Sequence, residues 1–496
     1  MNLLNKSKIL SNLPSIYGLF YFLILICVSL NEDYGLFVDE LYYLASAKRL
    51  AWGYVDQPPF SIFILKLFNI NGESTFYLRL FPSLLAGLTV YLVGKITQEI
   101  NGKPFSVSIA CISTMTVPVL QVLFSFYSMN SFEVFFVASL IFVLLKVNQN
   151  QKYWLLIGAI IGLGFLNKHT FLVYALAITI PYSILKYKNT FYSKYFYFGI
   201  LISAILVFPN IYWQFQNSLA SLEFYKNAIA LKNVNLSYIQ IILDQILSQN
   251  PITLPIWIAG IYFFLQKEEL RFIAIAYIIL ILFFIYSKSS RPDRIAAIYP
   301  ILFAGGAVYL YSNRITKVIF SLIILVGLIL APISLPILNP NITSKYVSIL
   351  GIVPQIEKGK NASLPQWLGD RMDWKEFTLS VQESINSLTI DEKNQSVVLG
   401  NYYGHAGSLE LYKISIPIIS GHNNYFLWMN ELQIKPTNLI IIGNKRLESL
   451  NKLFEESKLL GNYSRRYTNE NEIPIYLLKK NLVPMEEILS SIKEYR

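Results

Sequence analysis

Charged residues are scarce in this chain. Asp, Glu, Lys and Arg make up 14% of its 496 residues, whereas hydrophobic residues make up 54%. A water-soluble core of ordinary proportions cannot hide so many apolar side chains, so the composition excludes a soluble globular protein. It predicts a polytopic α-helical membrane protein.

Cysteine and histidine are also rare. The two cysteines, Cys27 and Cys111, fall inside apolar runs and give neither a disulfide framework nor metal-ligand spacing. The three histidines have no neighbouring acids or cysteines in a zinc-site pattern, so no metal site is predicted. Binding of a divalent cation by acids of the outer loops stays an open alternative. The absence of a Walker loop and of a GxGxxG helix start argues against an ATP-driven pump and a dinucleotide enzyme.

The net charge of +11 does not indicate a nucleic-acid partner. Residues 340–496 carry 18 basic and 17 acidic residues, so the excess lies in the apolar part and its loops. Basic loops on the cytoplasmic side of a membrane protein account for such an excess.

Apolar runs of spanning length recur along the first two thirds of the chain and predict about eleven transmembrane helices. The run 153–186 is twice the usual length and holds Asn167-Lys168-His169 near its middle, which predicts two short helices joined there. The other predicted spans are 14–31, 78–98, 105–125, 132–147, 195–214, 252–266, 272–287, 295–311 and 316–337.

The basic residues predict the orientation in the cell (inner) membrane. They alternate between loops so that the N-terminus is cytoplasmic, and the first long loop, 31–77, lies outside with everything after residue 338. The loop SKSSRPDR at 287–294 is an exception, because it places Lys288, Arg291 and Arg294 outside. Either it binds an anionic ligand, or its topology differs from the prediction.

The composition predicts two domains, a membrane domain over 1–338 and an extracytoplasmic α/β domain over 339–496. In the second, β-rich runs at 396–400, 416–420, 438–443 and 473–478 alternate with helical patterns near 373–388, 404–412, 445–460 and 484–494. This alternation is typical of a partly parallel sheet with helices.

Asp39 and Glu40 lie in the first outer loop, just before apolar residues at helical spacing that predict an amphipathic helix on the membrane surface. A carboxylate in the first turn of a helix is kept ionised by the helix dipole, which suits a general base. The alternative is a pair of ordinary solvated charges.

Glu133 and Lys168 are isolated charges beside apolar runs. Such charges are costly in a membrane and mark functional sites more often than elsewhere. Lys168, together with Arg291 and Arg294, suits a lipid phosphate or pyrophosphate. The alternatives are a snorkelling helix-start acid for Glu133 and a simple connecting turn for Lys168.

Several motifs, taken in order, resemble glycosyltransferase family 39, the protein O-mannosyltransferase-like enzymes that include the aminoarabinose transferases of lipid A. DELYYLASAKRLAWGYVDQPP, from residue 39, matches the family's first outer loop. The resemblance continues in YSMNSFEVFF, GLGFLNKHTFL, WQFQNSLASLEFYKN, RPDRIAAIYPILFAGGA, LPQWLGDRMDW and SGHNNYFLW.

This resemblance implies a C-type glycosyltransferase fold and a sugar donor carried on a polyprenyl phosphate. The family's first-loop aspartate falls on Asp39, which the resemblance implies is the catalytic base. The acid of the second outer loop falls on Glu133, which it implies is a second catalytic residue. Lys168 matches a basic position of this subgroup, and Arg291 and Arg294 fit more loosely. The first-loop residues Glu40, Asp56 and Tyr43 are expected to contact the acceptor or to shape the loop.

We therefore expect an integral-membrane glycosyltransferase that moves a sugar, with inversion at the anomeric carbon, to an extracytoplasmic protein, lipid or glycan. Its partners are the lipid-linked donor, the acceptor and membrane lipids. The alternatives are a flippase or transporter of lipid-linked sugars and a non-catalytic subunit of glycan assembly.

Overall fold

The structure is a computed structural model that describes residues 11–70, 72, 74–232, 236–287, 291–311, 314–356, 360–432, 435–468, 470 and 472–496. Lys288 of the predicted cationic loop lies outside these residues. The chain forms two compact units. We call Met1–Asn31, Phe76–Tyr212 and Asn233–Leu338 the helical unit, and Glu32–Thr75, Trp213–Lys232 and Asn339–Arg496 the sheet unit.

Within the described residues, four helices are long and apolar enough to cross a membrane, and a fifth span would be the bent pair Pro104–Met115 and Pro118–Phe124. The two members of this pair meet at 67°. Pro118 causes the break, because a proline cannot donate the helical hydrogen bond and disfavours helical geometry in the residue before it. The four long helices are Thr75–Glu99, Met129–Lys146, Lys194–Gln216 and Arg314–Ser334.

Shorter helices complete the helical unit. The prediction of a helical protein with several apolar helices is confirmed, and the number of eleven spans stays a prediction. The remaining α-helices are Leu13–Ser29, Tyr153–Asn167, Phe171–Leu185, Tyr187–Phe191, Tyr238–Ser248, Leu254–Gln266, Arg271–Tyr286 and Tyr299–Tyr309, with 3₁₀ turns at Pro251–Thr253 and Pro292–Ile298.

The long apolar run 153–186 is interrupted where its sequence predicted. One helix ends at Asn167 and the next begins at Phe171. Between them Lys168 has an extended backbone, with φ −156° and ψ 120°. The Asn167 amide donates to the carbonyl of Met129 at 2.8 Å. The turn is therefore anchored to the first residue of the Met129–Lys146 helix.

Two helices of this unit pack through glycines. A Cβ atom on Gly306 would lie 1.8 Å from the carbonyl oxygen of Ile256, and one on Gly260 would lie 2.0 Å from that of Leu302. Small residues permit such close backbone approach, which supplies much of the packing energy between helices in lipid. The Leu254–Gln266 and Tyr299–Tyr309 helices can therefore pack this closely only with glycine at both positions.

We expect Gly306→Val to destabilise the protein by roughly 3 kcal/mol, at the upper end of overpacking effects, because the obstacle is a backbone carbonyl. The measurement is the thermal unfolding temperature of the purified chain in detergent. Leu328→Val, at an exposed position of the Arg314–Ser334 helix, is the control and should leave that temperature within about 2 °C. Equal unfolding temperatures for the two variants would contradict the packing argument.

The sheet unit contains a mixed five-stranded sheet. Its strands are β3 (Ser396–Leu399), β4 (Ile418–Ile419), β5 (Asn438–Ile442), β6 (Phe454–Tyr463) and β7 (Ile473–Asn481), in the order β4-β3-β5-β7-β6. The first three are parallel, and β7 pairs antiparallel with β5 and β6. β3 and β5 are buried along their whole length, as expected for parallel strands covered on both faces.

Helices and a short hairpin surround this sheet. Apolar side chains of β3, β5 and β7 pack against the C-terminal helix in one core cluster that includes Leu399, Ile441 and Ile488. The helices are Val38–Lys48, Phe60–Leu67, Ala220–Lys232, Pro340–Ile349, Gln366–Gly369, Trp374–Asn386, Ile390–Asn394, Tyr403–Leu411, Asn424–Trp428, Leu447–Asn451 and Met485–Ser491, with a 3₁₀ turn at Met429–Glu431; the hairpin strands are β1 (Gln355–Ile356) and β2 (Lys360–Asn361).

One predicted helix is wrong. Over 445–460 the structure has the short helix Leu447–Asn451 followed by strand β6. The segment is rich in Leu, Glu and Lys, which favour helices, but pairing with β7 overrides that preference. Cross-strand ion pairs support the pairing, since Lys479 lies 3.3 Å from Glu456.

The helix predicted after Asp39 is present at Val38–Lys48, but it is not amphipathic as expected. All residues from Leu36 to Ala47 except Asp39 are buried, so the helix has no polar face open to water. The Tyr403–Leu411 helix covers it, and a Cβ atom on Gly407 would lie 3.0 Å from that of Leu41. Contacts made by residues more than 350 positions away hide its second face.

Candidate active site

Asp39 is the accessible residue of a buried helix start. It lies in the first turn of the Val38–Lys48 helix, and its carboxylate accepts a hydrogen bond from the Tyr403 hydroxyl at 2.7 Å. The ring of Tyr403 stacks on His422 with centroids 4.9 Å apart. Its backbone N–H donates to Nδ1 of that histidine at 3.2 Å. The carboxylate is thus held by a donor that cannot rotate freely.

Glu40, beside it, has a different environment. Its side chain is fully buried, and one carboxylate oxygen accepts from the backbone N–H of Phe37 at 2.8 Å. An acid at the third helical position that bonds back to the residue before the helix satisfies one of the unpaired N–H groups of the first turn. Glu40 therefore fixes the start of the helix that carries Asp39. Tyr43 is buried in the same helix.

Asp56 is also the only residue with an accessible side chain in a buried run, from Gly53 to Pro59. It accepts from the Tyr42 hydroxyl at 2.9 Å. The adjacent backbone N–H of Val55 donates to the side-chain oxygen of Asn424 at 2.6 Å. The loop that carries Asp56 is therefore pinned to the segment after β4. Asp39 and Asp56 both act electrostatically on Tyr403, so these two acids of the first loop share one neighbourhood.

A buried ionic network lies next to this pair. Arg465 donates to Glu470 at 2.7 Å and covers the ring of Trp374 at 3.8 Å, and Nε2 of His405 lies 3.4 Å from Glu470. Burial raises the pKa of a carboxyl group, but His405 and Arg465 outweigh it and lower the pKa of Glu470 to about 2. For Asp370 burial dominates and raises the pKa to about 7, with Arg465 opposing it.

The helical unit holds a second charged cluster. The Lys168 ammonium donates to Glu133 at 2.6 Å and to the Asn130 side chain at 2.8 Å. The other carboxylate oxygen of Glu133 accepts from the Thr170 hydroxyl at 3.2 Å. The Glu133 side chain is 4% exposed and that of Lys168 is 12% exposed. Both oxygens of Glu133 have donors, so this acid is paired and nearly closed to solvent.

The predicted cations Arg291 and Arg294 extend this cluster. Arg291 binds Asp293 through two hydrogen bonds of 3.2 and 3.3 Å, and the carbonyl of Arg294 accepts from the Tyr174 hydroxyl at 2.8 Å. Burial alone would raise the pKa of Asp293, but Arg291 and Lys168 lower it. Lys168, Arg291 and Arg294 therefore all act on one carboxylate, which brings the three predicted cations together.

Sequence reasoning missed four of the residues that hold these clusters, namely Tyr42, Tyr403, Asn424 and Asp293. Tyr403 belongs to the segment NYYGH, and Asn424 belongs to SGHNNYF, which was noted only for its resemblance. A polar residue four or five residues after a buried β-run was the available signal, because the carboxyl ends of parallel strands carry functional loops. Among the described residues, no three His, Cys, Asp or Glu side chains come together as a metal site requires.

Comparison with solved structures identifies the fold. A crystal structure of ArnT from Cupriavidus metallidurans in the apo state superposes with a TM-score of 0.63 at 12% identity, over 93% of this chain and 97% of that one. The chain has the fold of ArnT. A second ArnT structure from that organism, bound to undecaprenyl phosphate, gives a TM-score of 0.62 at 11% identity and the same coverage.

Sequence comparison identifies the same group of enzymes. Residues 56–213 match the family described as dolichyl-phosphate-mannose-protein mannosyltransferase. The lipopolysaccharide core galacturonosyltransferase RgtB of Rhizobium johnstonii is 25% identical over 199 residues. That alignment covers 39% of this chain and 40% of the relative's length. The resemblance predicted from the motifs is confirmed.

We expect Glu470→Gln to lower the free energy of unfolding by roughly 3 kcal/mol at pH 7, because it leaves Arg465 buried without its counter-charge. The folded pKa of Glu470 is depressed, so its stabilisation is complete above about pH 4.5 and is lost as the pH falls toward about 2. The measurement is thermal unfolding followed by tryptophan fluorescence between pH 3 and 7.

The control for this prediction is Glu472→Gln, which changes an exposed acid two residues away. It should unfold like the wild type at every pH. A destabilisation by Glu470→Gln that stays constant from pH 7 to pH 3 would contradict the ionic origin of the effect.

Proposed function

We propose that this protein is an integral-membrane glycosyltransferase that moves one sugar from a polyprenyl-phosphate donor to an extracytoplasmic acceptor, with Asp39 as the base. One observation carries the proposal. Asp39 is the accessible carboxylate in an otherwise buried helix start, it lies at the positive end of the helix dipole, and Tyr403 orients it. These are the features that a positioned general base requires.

The reaction balances with the groups of this chain. The acceptor hydroxyl attacks the anomeric carbon of the donor while its proton passes to an oxygen of Asp39. The bond from that carbon to the phosphate oxygen breaks, and the lipid phosphate leaves with the electron pair. Attack opposite the leaving group inverts the anomeric carbon. A phosphate is already a good leaving group, so positioning and charge stabilisation supply most of the acceleration.

The phosphate end of the donor belongs to the cation cluster in this proposal. Lys168 supplies a point charge, and Arg294 and Arg291 offer the planar donors that suit phosphate oxygens. Glu133 is a positioning residue here, because both its oxygens are occupied and its closest partner is Lys168. Glu40 and Asp56 shape the loop, and Asp56 remains accessible to an acceptor.

The relatives support the substrate class. ArnT of C. metallidurans binds undecaprenyl phosphate, and RgtB of R. johnstonii is a galacturonosyltransferase acting on the lipopolysaccharide core. From them we propose a polyprenyl-phosphate donor, an inner-membrane location and a site on the outer face. The N-terminus would then be cytoplasmic and residues 339–496 extracytoplasmic.

We expect Asp39→Asn to lower kcat by about 10²–10⁴-fold, the range of general-base contributions, with the protein still folded. The measurement is release of labelled polyprenyl phosphate and sugar transfer by the purified chain reconstituted in lipid. Glu32→Gln, an exposed acid of the same loop, is the matched control and should retain full activity. Wild-type turnover by Asp39→Asn would overturn the assignment of the base.

We expect Lys168→Met to raise the donor KM by roughly 10–100-fold, the effect of one charge-assisted hydrogen bond, with a smaller change in acceptor dependence. Because this change leaves Glu133 buried without its counter-charge, Lys168→Met/Glu133→Gln is tested beside it and should fold while keeping the high KM. An unchanged donor saturation curve in the double variant would remove Lys168 from the phosphate site.

Glu133→Gln alone separates a positioning role from a catalytic one. It keeps the ammonium of Lys168 and an acceptor oxygen beside it, so kcat should fall less than about tenfold. A loss of 10² or more at saturating donor, with the protein folded, would make Glu133 a catalytic acid.

The same assays on the wild type distinguish the alternative functions. Transport of lipid-linked sugar without phosphate release would identify a flippase, and the absence of both activities would identify a non-catalytic subunit.

A further inference from the structure

An open pocket in the sheet unit lies between the Pro340–Ile349 helix and the connection from β6 to β7, and the proposed reaction does not use it. It has a volume of about 570 Å³. Its walls are polar, and none of its six lining residues is acidic. They are Asn341, Ser344, Lys345, Ser363, Arg466 and Tyr467.

One wall of the pocket is rigid. The Tyr467 hydroxyl donates to the Asn341 side chain at 2.8 Å, which fixes the first turn of the Pro340–Ile349 helix. Two residues further on, Thr343 bonds the Tyr34 hydroxyl at 3.0 Å. Tyr34 and Tyr467 belong to one buried apolar cluster. The backbone of the helix is therefore held in place, and Lys345 on its outer side is exposed.

The charges of the pocket suit an anion. Lys345 and Arg466 are both exposed at its rim, and the Arg466 guanidinium lies 5.3 Å from the ring centre of Tyr467. The backbone N–H of Arg466, not its guanidinium, is the group bound to Asp373, at 3.4 Å. Two cations flanked by serine hydroxyls and an amide provide the charge and the hydrogen-bond donors that phosphate oxygens accept.

The surface next to the pocket is apolar. Ile342, Lys345 and Ile349 lie three and four residues apart, so they share one face of the helix. Ile349 is 82% exposed, and Val353 beyond the helix is 62% exposed. A soluble domain rarely leaves such an apolar row open to water beside cations, whereas a helix lying in the headgroup layer does.

The position of the Pro340–Ile349 helix along the chain also favours the headgroup layer of a membrane. Only five residues separate this helix from Ser334, where the most apolar of the long helices ends. Chain connectivity therefore keeps the helix close to a bilayer surface. Anionic lipids attract basic residues at that surface.

We propose that this pocket binds the phosphate headgroup of an anionic membrane lipid, held by Lys345 and Arg466, with its acyl chains against Ile342, Ile349 and Val353. The lipid anchors the sheet unit at the membrane surface. It is a different ligand from the sugar donor, because the pocket contains none of the residues assigned to donor or acceptor.

The test measures lipid binding by the full-length protein in detergent, by native mass spectrometry during titration with phosphatidylglycerol or phosphatidylcholine. The wild type should bind phosphatidylglycerol more tightly. Lys345→Gln/Arg466→Gln should weaken that binding at least about fivefold, the effect of losing one surface cation or more, and leave phosphatidylcholine binding unchanged. Ile342→Ser/Ile349→Ser should weaken the binding of both lipids.

The matched control is Lys375→Gln/Lys458→Gln, which removes two exposed cations elsewhere in the sheet unit. It should bind phosphatidylglycerol like the wild type. Wild-type phosphatidylglycerol binding by Lys345→Gln/Arg466→Gln, or equal loss in the control, would overturn the proposal. Binding of glycerol phosphate as tight as that of phosphatidylglycerol would replace the lipid site with a site for soluble anions. Unfolding temperatures of all variants exclude loss of fold as the cause.

Discussion

The structure depends on giving a partner to each acid that the fold removes from bulk water. Removing a carboxylate from water costs several kcal/mol unless hydrogen bonds and an opposite charge replace its hydration. Glu133 obtains both from Lys168 and Thr170, and Glu470 obtains them from Arg465 and His405. Asp39 differs, because the neutral hydroxyl of Tyr403 bonds its carboxylate and its side chain remains accessible. Its carboxylate is therefore positioned without being closed to solvent.

The sheet explains why the residues that hold Asp39 and the loop of Asp56 come from so far along the chain. Tyr403 follows β3 by four residues, and Asn424 follows β4 by five. Both strands are parallel, so their carboxyl ends lie at one edge of the sheet, where functional loops gather in open α/β sheets. The first loop packs against that edge. In soluble α/β proteins a ligand usually binds at this edge of the sheet. Here a loop of the same chain lies there instead.

Local patterns predicted much of this arrangement. Periodicity predicted the helix break at Lys168 and the runs that form β3, β4, β5 and β7. Isolated charge singled out Glu133 and Lys168, but not that the two form an ion pair. Strand β6 and the burial of the Val38–Lys48 helix do not follow from either. A strand rich in helix-forming residues is decided by its partner strand, and the burial of a helix face is decided by what covers it. Neither is encoded in a window of neighbouring residues.

The same limit separates the acids that share a motif. Asp39 and Glu40 are adjacent and chemically alike, yet one is accessible and the other is fully buried. The third helical position aims Glu40 back at the N–H of Phe37, which is a local effect that a helix start implies. The hydroxyl that bonds Asp39 belongs to Tyr403, which is 364 residues away. A helix start can therefore tell which of two neighbouring acids is a cap, but only the folded sheet unit determines the surroundings of the other.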